Sequence, residues 1–154
     1  MRALATARTA IKVGLVALVP FMGPSDPVAA GPLEDGQAAY DRGNYATALL
    51  LWRAFADQGD ASAQYNLGVM YEHGQGVPRN YSAALAWFRK AAAQSHAGAQ
   101  YNVGVMYADG LGVSRNFATA VTWYREAADQ GYASAQSSLG VMYALGKGVP
   151  QDDG

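Results

Sequence analysis

Residues 101–116 read "YNVGVMYADGLGVSRN", and residues 65–80 read "YNLGVMYEHGQGVPRN". The two stretches stand 36 positions apart, and each holds a Gly-x-Gly followed by Val. A Gly-rich turn can cradle a phosphate, or it can end one helix and redirect the chain into the next. The surrounding register decides between the two. Gly74, Gly110 and Gly146 align at the same offset, with Gly76, Gly112 and Gly148 two places on. Upstream, Gln64, Gln100 and Gln136 align, as do Gly68, Gly104 and Gly140, Met70, Met106 and Met142, and Tyr71, Tyr107 and Tyr143. Downstream, Ala84 matches Ala120, Trp87 matches Trp123, and Arg53, Arg89 and Arg125 form a triple. Matching at one fixed period across a chain is the mark of a repeat array.

Each unit resolves into two helices. Helix A is expected at 61–73, 97–109 and 133–145, and helix B at 45–58, 81–94 and 117–130. On helix B, Ala84, Trp87, Phe88 and Ala91 recur at the three- and four-residue steps of one helical face. Asn44, Asn80 and Asn116 precede the three B helices, where a side-chain oxygen can accept from free backbone N–H groups. A first, divergent helix A over roughly 34–42 reaches its partner through a short turn at Gly43. No strand pattern appears, so the fold class is all-α.

The glycine pair follows a helix of thirteen residues, with no strand before it and no Lys-Ser/Thr after it. Both features argue against a phosphate loop. Gly74, Gly110 and Gly146 fall where a helix ends in a left-handed residue, and Val77, Val113 and Val149 can fold back onto that end. Gly68, Gly104 and Gly140 sit mid-helix, where each costs ~1 kcal/mol against Ala. Such a recurring cost implies a close helix contact, for which the small Ala84 and Ala120 are the expected facing residues. Met70, Tyr71, Trp87 and their repeats are expected core filling.

The chain of 154 residues has room for one domain, carries a formal net charge of −1, and has no block of like charge that would suggest nucleic acid. It has no cysteine, which excludes disulfides, a thiol nucleophile and Cys-based zinc sites. Residues 1–30 differ from the rest. Arg2, Arg8 and Lys12 form a basic start, "VGLVALVPFMG" (13–23) is a short apolar run broken by Pro20, and "VAA" (28–30) supplies small residues. The run is too short for a stable bilayer span. The segment reads as a cleavable secretory signal cut after Ala30, with an uncleaved anchor or a misassigned start as the alternatives. Cleavage would move the net charge to −3 and leave residues 31–154 in a bacterial periplasm or outside the cell.

The stretch "AQYNLGVMYEHGQGVPRNYSAALAWFRKAAAQ" (63–94) and its copy at 99–130 resemble Sel-one-like repeats (SLR), a branch of the tetratricopeptide-repeat (TPR) superfamily. The resemblance is close over 61–150 and looser over 34–60. It implies a right-handed α-solenoid of antiparallel helix pairs, about three and a half repeats, with units at 34–60, 61–96, 97–132 and a partial 133–154. It also implies an interaction adaptor for a protein or peptide with no activity of its own. Some secreted members carry a disulfide in each repeat, and this chain departs from them. In related modules helix A lines a concave groove, and an Asn before the Leu-Gly pair holds a peptide backbone. By that resemblance Asn66 and Asn102 are the candidate residues, with Ser138 at the third position. On the same face stand Tyr65, Val69 and His73, then Tyr101, Val105 and Asp109, then Val141 and Leu145. The tips His73, Asp109 and Leu145 differ between units, as a surface reading different groups would, or as solvent-facing positions that drift.

Catalysis would need converging acid, base or nucleophile groups. The two histidines, His73 and His96, fall at opposite ends of a unit, and no paired metal-ligand spacing occurs. No cofactor or metal is expected. Arg125 with Asp129 reads as a solvated i,i+4 pair. A secreted enzyme or a modulator of an envelope enzyme stays the alternative class, beside a truncated paralogue without a role of its own. Asp152 aligns with Asn116, so the fourth unit ends before its helix B. Leu139, Met142 and Tyr143 are then expected to be partly uncovered, through truncation or as a docking end that includes self-association.

Overall fold

The computed structural model describes residues 31–149; the leader expected at 1–30 and the cap position Asp152 lie outside them. Seven helices follow in order: α1 (Pro32–Asp41), α2 (Tyr45–Asp57), α3 (Ala61–His73), α4 (Tyr81–Ala92), α5 (Ala97–Asp109), α6 (Phe117–Asp129) and α7 (Ala133–Ala144). No strand occurs among the described residues. Each helix packs chiefly against the one before and the one after it, which makes an all-α solenoid of repeated helix pairs. Helices α1, α3, α5 and α7 are of type A; α2, α4 and α6 are of type B. The B helices stop one or two residues short of 58, 94 and 130, and α1 starts at Pro32 because proline suits a first helical turn.

The helix starts follow from single side chains. The Asn44, Asn80 and Asn116 oxygens accept from the N–H groups of Thr47 at 3.3 Å, Ala83 at 3.0 Å and Thr119 at 3.0 Å. At the A helices, Asp60 caps α3 through Ala63 N–H at 2.7 Å, and His96 Nδ1 caps α5 through Ala99 N–H at 3.2 Å. Tyr132, in the same place before α7, makes no such bond.

The two glycines of the joint have separate tasks. Gly74 (φ 71°) and Gly110 (φ 74°) end α3 and α5 in the left-handed conformation. The second glycine lets the joint lie against the start of the preceding unit's B helix. A methyl at Gly112 would sit 2.5 Å from the Tyr81 carbonyl carbon, and Gly76 and Gly148 approach Tyr45 and Phe117 in the same way. Asn80 and Asn116 N–H donate to the Tyr71 and Tyr107 carbonyls, both at 2.8 Å, and close the turn.

Gly68 and Gly104 mark close packing, but not against the alanines, and at Gly140 the expected close contact is missing. A methyl at Gly68 would meet the Phe88 ring at 2.5 Å, and one at Gly104 the Tyr124 ring at 2.6 Å. Ala120 contributes only its carbonyl oxygen, 3.3 Å from the Gly104 position. The aromatic ring reaches further than a methyl and fills the notch that glycine leaves. In the first unit Gly36 makes the same approach to Trp52, 2.7 Å from Cδ1. Its spacing escapes the offset of 36 because the first joint is shorter. Trp52, Phe88, Leu67, Met70, Met106, Val103 and Val121 are the largest fully buried side chains among the described residues.

A glutamine ladder ties the units together. Gln64 and Gln100, the buried polar residues, donate to the Ala56 and Ala92 carbonyls at 3.1 and 3.4 Å, at B-helix ends where these carbonyls also accept from the Gly59 and Ser95 N–H groups. Gln94 and Gln130 donate back to them at 2.9 and 2.6 Å. The aligned arginines do other work. Arg53 pairs with Asp57 at 3.2 Å, but Arg125 does not pair with Asp129: it turns to the Tyr143 hydroxyl at 2.5 Å. Arg89 donates likewise to the Tyr107 hydroxyl.

Candidate functional site

The A helices place the candidate residues in two equivalent sets and one incomplete one. On α3, Tyr65, Asn66 and Val69 are half-buried and His73 is exposed; on α5, Tyr101, Asn102 and Val105 are half-buried and Asp109 is exposed. On α7, Ser138 is half-buried, while Val141 and Leu145 are exposed. A half-buried polar residue among half-buried apolar ones can hold a ligand group without leaving a costly unpaired atom in the core.

The site's edge is aromatic. Tyr65 stacks on the His96 ring at 4.7 Å and 19°, and lies 5.7 Å from Phe88. One unit on, Tyr101 lies 5.3 Å from Tyr132 and 5.7 Å from Tyr124. Burial raises the Tyr65 hydroxyl above its ordinary range, with Tyr132 adding to it; a hydrogen bond with the Asn102 side chain partly offsets this, and the Glu72 charge adds again. Asn102 of one unit thus meets Tyr65 of the unit before. Burial also pushes Tyr124 up to about 12. His96 is lowered by burial, which its own backbone and Asp60 oppose in part. That keeps Nδ1 free to accept at the helix start.

Two features escaped the sequence. Glu72 stands where the later units have Ala108 and Ala144, so a break in the repeat could have drawn attention to it. Burial raises its carboxyl, and His73 at 3.9 Å is its ion-pair contact. The second feature is an open cleft of about 450 Å³ on α2 and α3, lined by Ala46, Leu49, Leu50, Arg53, Asp57 and Tyr71. At its edge Arg53 leans to Asp57 and lies 5.2 Å over the Trp87 ring, whereas Arg89 lies over Tyr107. Leu50, 73% exposed, stands where Ala86 and Thr122 stand later.

Among the described residues no group of three or more His, Asp or Glu could hold a metal ion, and no helix is long and apolar enough to cross a membrane. The geometry is that of an all-α repeat protein with a recurring side-chain face. The Sel1 repeat family model matches residues 31–60, 61–96, 97–132 and 133–154, and the chain belongs to that family. It is similar to the crystal structure of a Sel1 repeat protein from Oxalobacter formigenes, at 35% identity and a TM-score of 0.74, covering 78% of this chain and 49% of that one. It is also similar to c5321, a protective antigen of uropathogenic Escherichia coli displaying an SLR fold, at 37% identity and a TM-score of 0.74. That match covers 79% of this chain and 27% of the antigen. The chain therefore spans half or less of either relative's length. No curated protein matches it.

Proposed function

We propose that this chain is a non-catalytic scaffold holding an extended segment of a protein partner against the face of its A helices. Sel1 repeat proteins are generally protein-interaction scaffolds. The observation that carries the finer reading is the recurrence of Tyr65, Asn66, Val69 as Tyr101, Asn102, Val105. In both units the set is half-buried, its Tyr and Val packed against the edge of the core. Asn side chains offer both a donor and an acceptor, the combination a peptide backbone needs. Residues 31–154 act after export, the leader being removed after Ala30; the intact mass of the protein recovered from a bacterial periplasm tests that cut.

The groove is tested by capture of partners on the purified chain and on an Asn66→Ala/Asn102→Ala variant. Loss of the partner on the double variant supports the face; retention of every partner overturns it. The exposure of Leu50 favours a second reading, in which an apolar side chain enters the α2–α3 cleft. Leu50→Ser would then release a partner that the double variant retains.

A further inference from the structure

We propose that the A-helix face receives a basic side chain of the bound segment, whose cationic head pairs with the Glu72 carboxylate beside Tyr65 and Asn102. This inference rests on the binding face proposed above. Its first support is a segregation of charge between the two kinds of helix. Helices α1, α3, α5 and α7 hold Glu34, Asp35, Asp41, Glu72 and Asp109, and no Lys or Arg. The B helices hold Arg53, Arg89, Lys90 and Arg125 beside Asp57, Glu126 and Asp129. Those cations already have partners: Arg53 has Asp57, Arg89 and Arg125 have the hydroxyls of Tyr107 on α5 and Tyr143 on α7, and Lys90 lies 4.0 Å over the Trp87 ring. The A helices α1, α3 and α5 thus carry acids without a Lys or Arg of their own, a balance complementary to a cation.

The second support is Glu72 itself. Its side chain is only 20% exposed, yet the group at ion-pair distance is the neighbouring His73, 58% exposed and 3.9 Å away. No Lys or Arg pairs with it among the described residues. A carboxylate held half out of water without a strong cation loses hydration and gains little in return. The later units place Ala108 and Ala144 there, so the repeat fold does not need the charge. Glu72 follows Tyr65 and Val69 along one helical face, and Tyr65 in turn meets Asn102. A carboxylate, a carboxamide and a phenol oxygen on one patch are acceptors for an ammonium or, in bidentate fashion, a guanidinium.

The test is a display library of random peptides panned on the full chain, with the enriched peptides then synthesised and titrated by fluorescence anisotropy. Enrichment of Lys or Arg at one position is expected. Glu72→Gln should weaken those peptides about tenfold or more, and should not weaken versions carrying Gln at the basic position. Added salt should weaken the wild-type pairing and leave the Gln versions unchanged. Glu72→Gln and Glu72→Ala should melt at or above the wild-type temperature, because they remove a carboxylate that burial disfavours; a fall in melting temperature would mark a structural role and overturn the inference. Enriched peptides without a basic preference, released by Asn66→Ala/Asn102→Ala, would remove the cation site and leave the binding face standing. No enrichment, or binding indifferent to every A-face substitution, would remove both.

Discussion

Ser95 is the described non-glycine residue with a positive φ, at 62°. It lies in the turn between α4 and α5, where the other units have Gly59 (φ 97°) and Gly131 (φ 82°). A left-handed L-residue costs ~1 kcal/mol relative to glycine. Ser95→Gly is therefore expected to stabilise the chain by about that much, less a few tenths for the added freedom of the unfolded chain, read as a higher urea midpoint. One residue on, His96 caps α5 only while Nδ1 is unprotonated. Its folded pKa lies below the unfolded value of about 6.5, so in that window the unfolded chain binds more protons. The capping contribution is complete above that pH and declines as pH falls through the window. Chemical denaturation of wild type and His96→Asn between pH 8 and 5 should show the difference between them shrinking or reversing on acidification. Glu72 has the opposite sign: its raised pKa makes ionisation cost stability as pH rises, and it cancels when the two proteins are compared.

At the scale of the element, helix A is built around one notch. Gly68 and Gly104 are covered by the Phe88 and Tyr124 rings, while a methyl at Gly140 would meet nothing within 4 Å. One substitution made in three places should then give two signs. Gly68→Ala and Gly104→Ala gain helix propensity of ~1 kcal/mol but push a buried ring against a close-packed core, for a net loss of about 1–2 kcal/mol. Gly140→Ala gains the propensity alone and should stabilise α7 by up to ~1 kcal/mol. Thermal melts of the three variants check this, and equal effects at all three would refute the notch. The glycine joint is stricter: Gly112 combines a φ of 68° with a close approach to the Tyr81 backbone, so its replacement by Ala is strained both in its own conformation and against that backbone.

For the molecule as a whole, stability in a solenoid is a sum of units and of the interfaces between them. The buried large side chains concentrate on α2 to α5, and in α7 only Ala135 is buried. Native-state hydrogen exchange should therefore find the α7 amides least protected and those of α3, α4 and α5 most protected. Phe88→Ala, which empties the notch beside Gly68 and opens the interior cluster of α4 and α5, should cost ~3–5 kcal/mol. Such a loss would unfold the central units first and leave no face for a partner.

The period of 36 was legible as identity at a fixed offset, and the helix pairs, the Asn caps and the left-handed glycines because each depends on residues within a few positions of one another. The family followed from the same local pattern. What repeats in sequence also named the candidate face, since Tyr-Asn-x-x-Val falls on one side of a helix. The ring opposite each glycine, the glutamine ladder, the turning of Arg125 to Tyr143 and the opening beside Leu50 were decided only by the tertiary structure. Those contacts join residues 8 to 34 positions apart, and how far each side chain reaches is set by the neighbouring helix that it meets. Glu72 combines the two: its break from alanine is visible in the sequence, but its burial without a strong cation exists only in the folded chain.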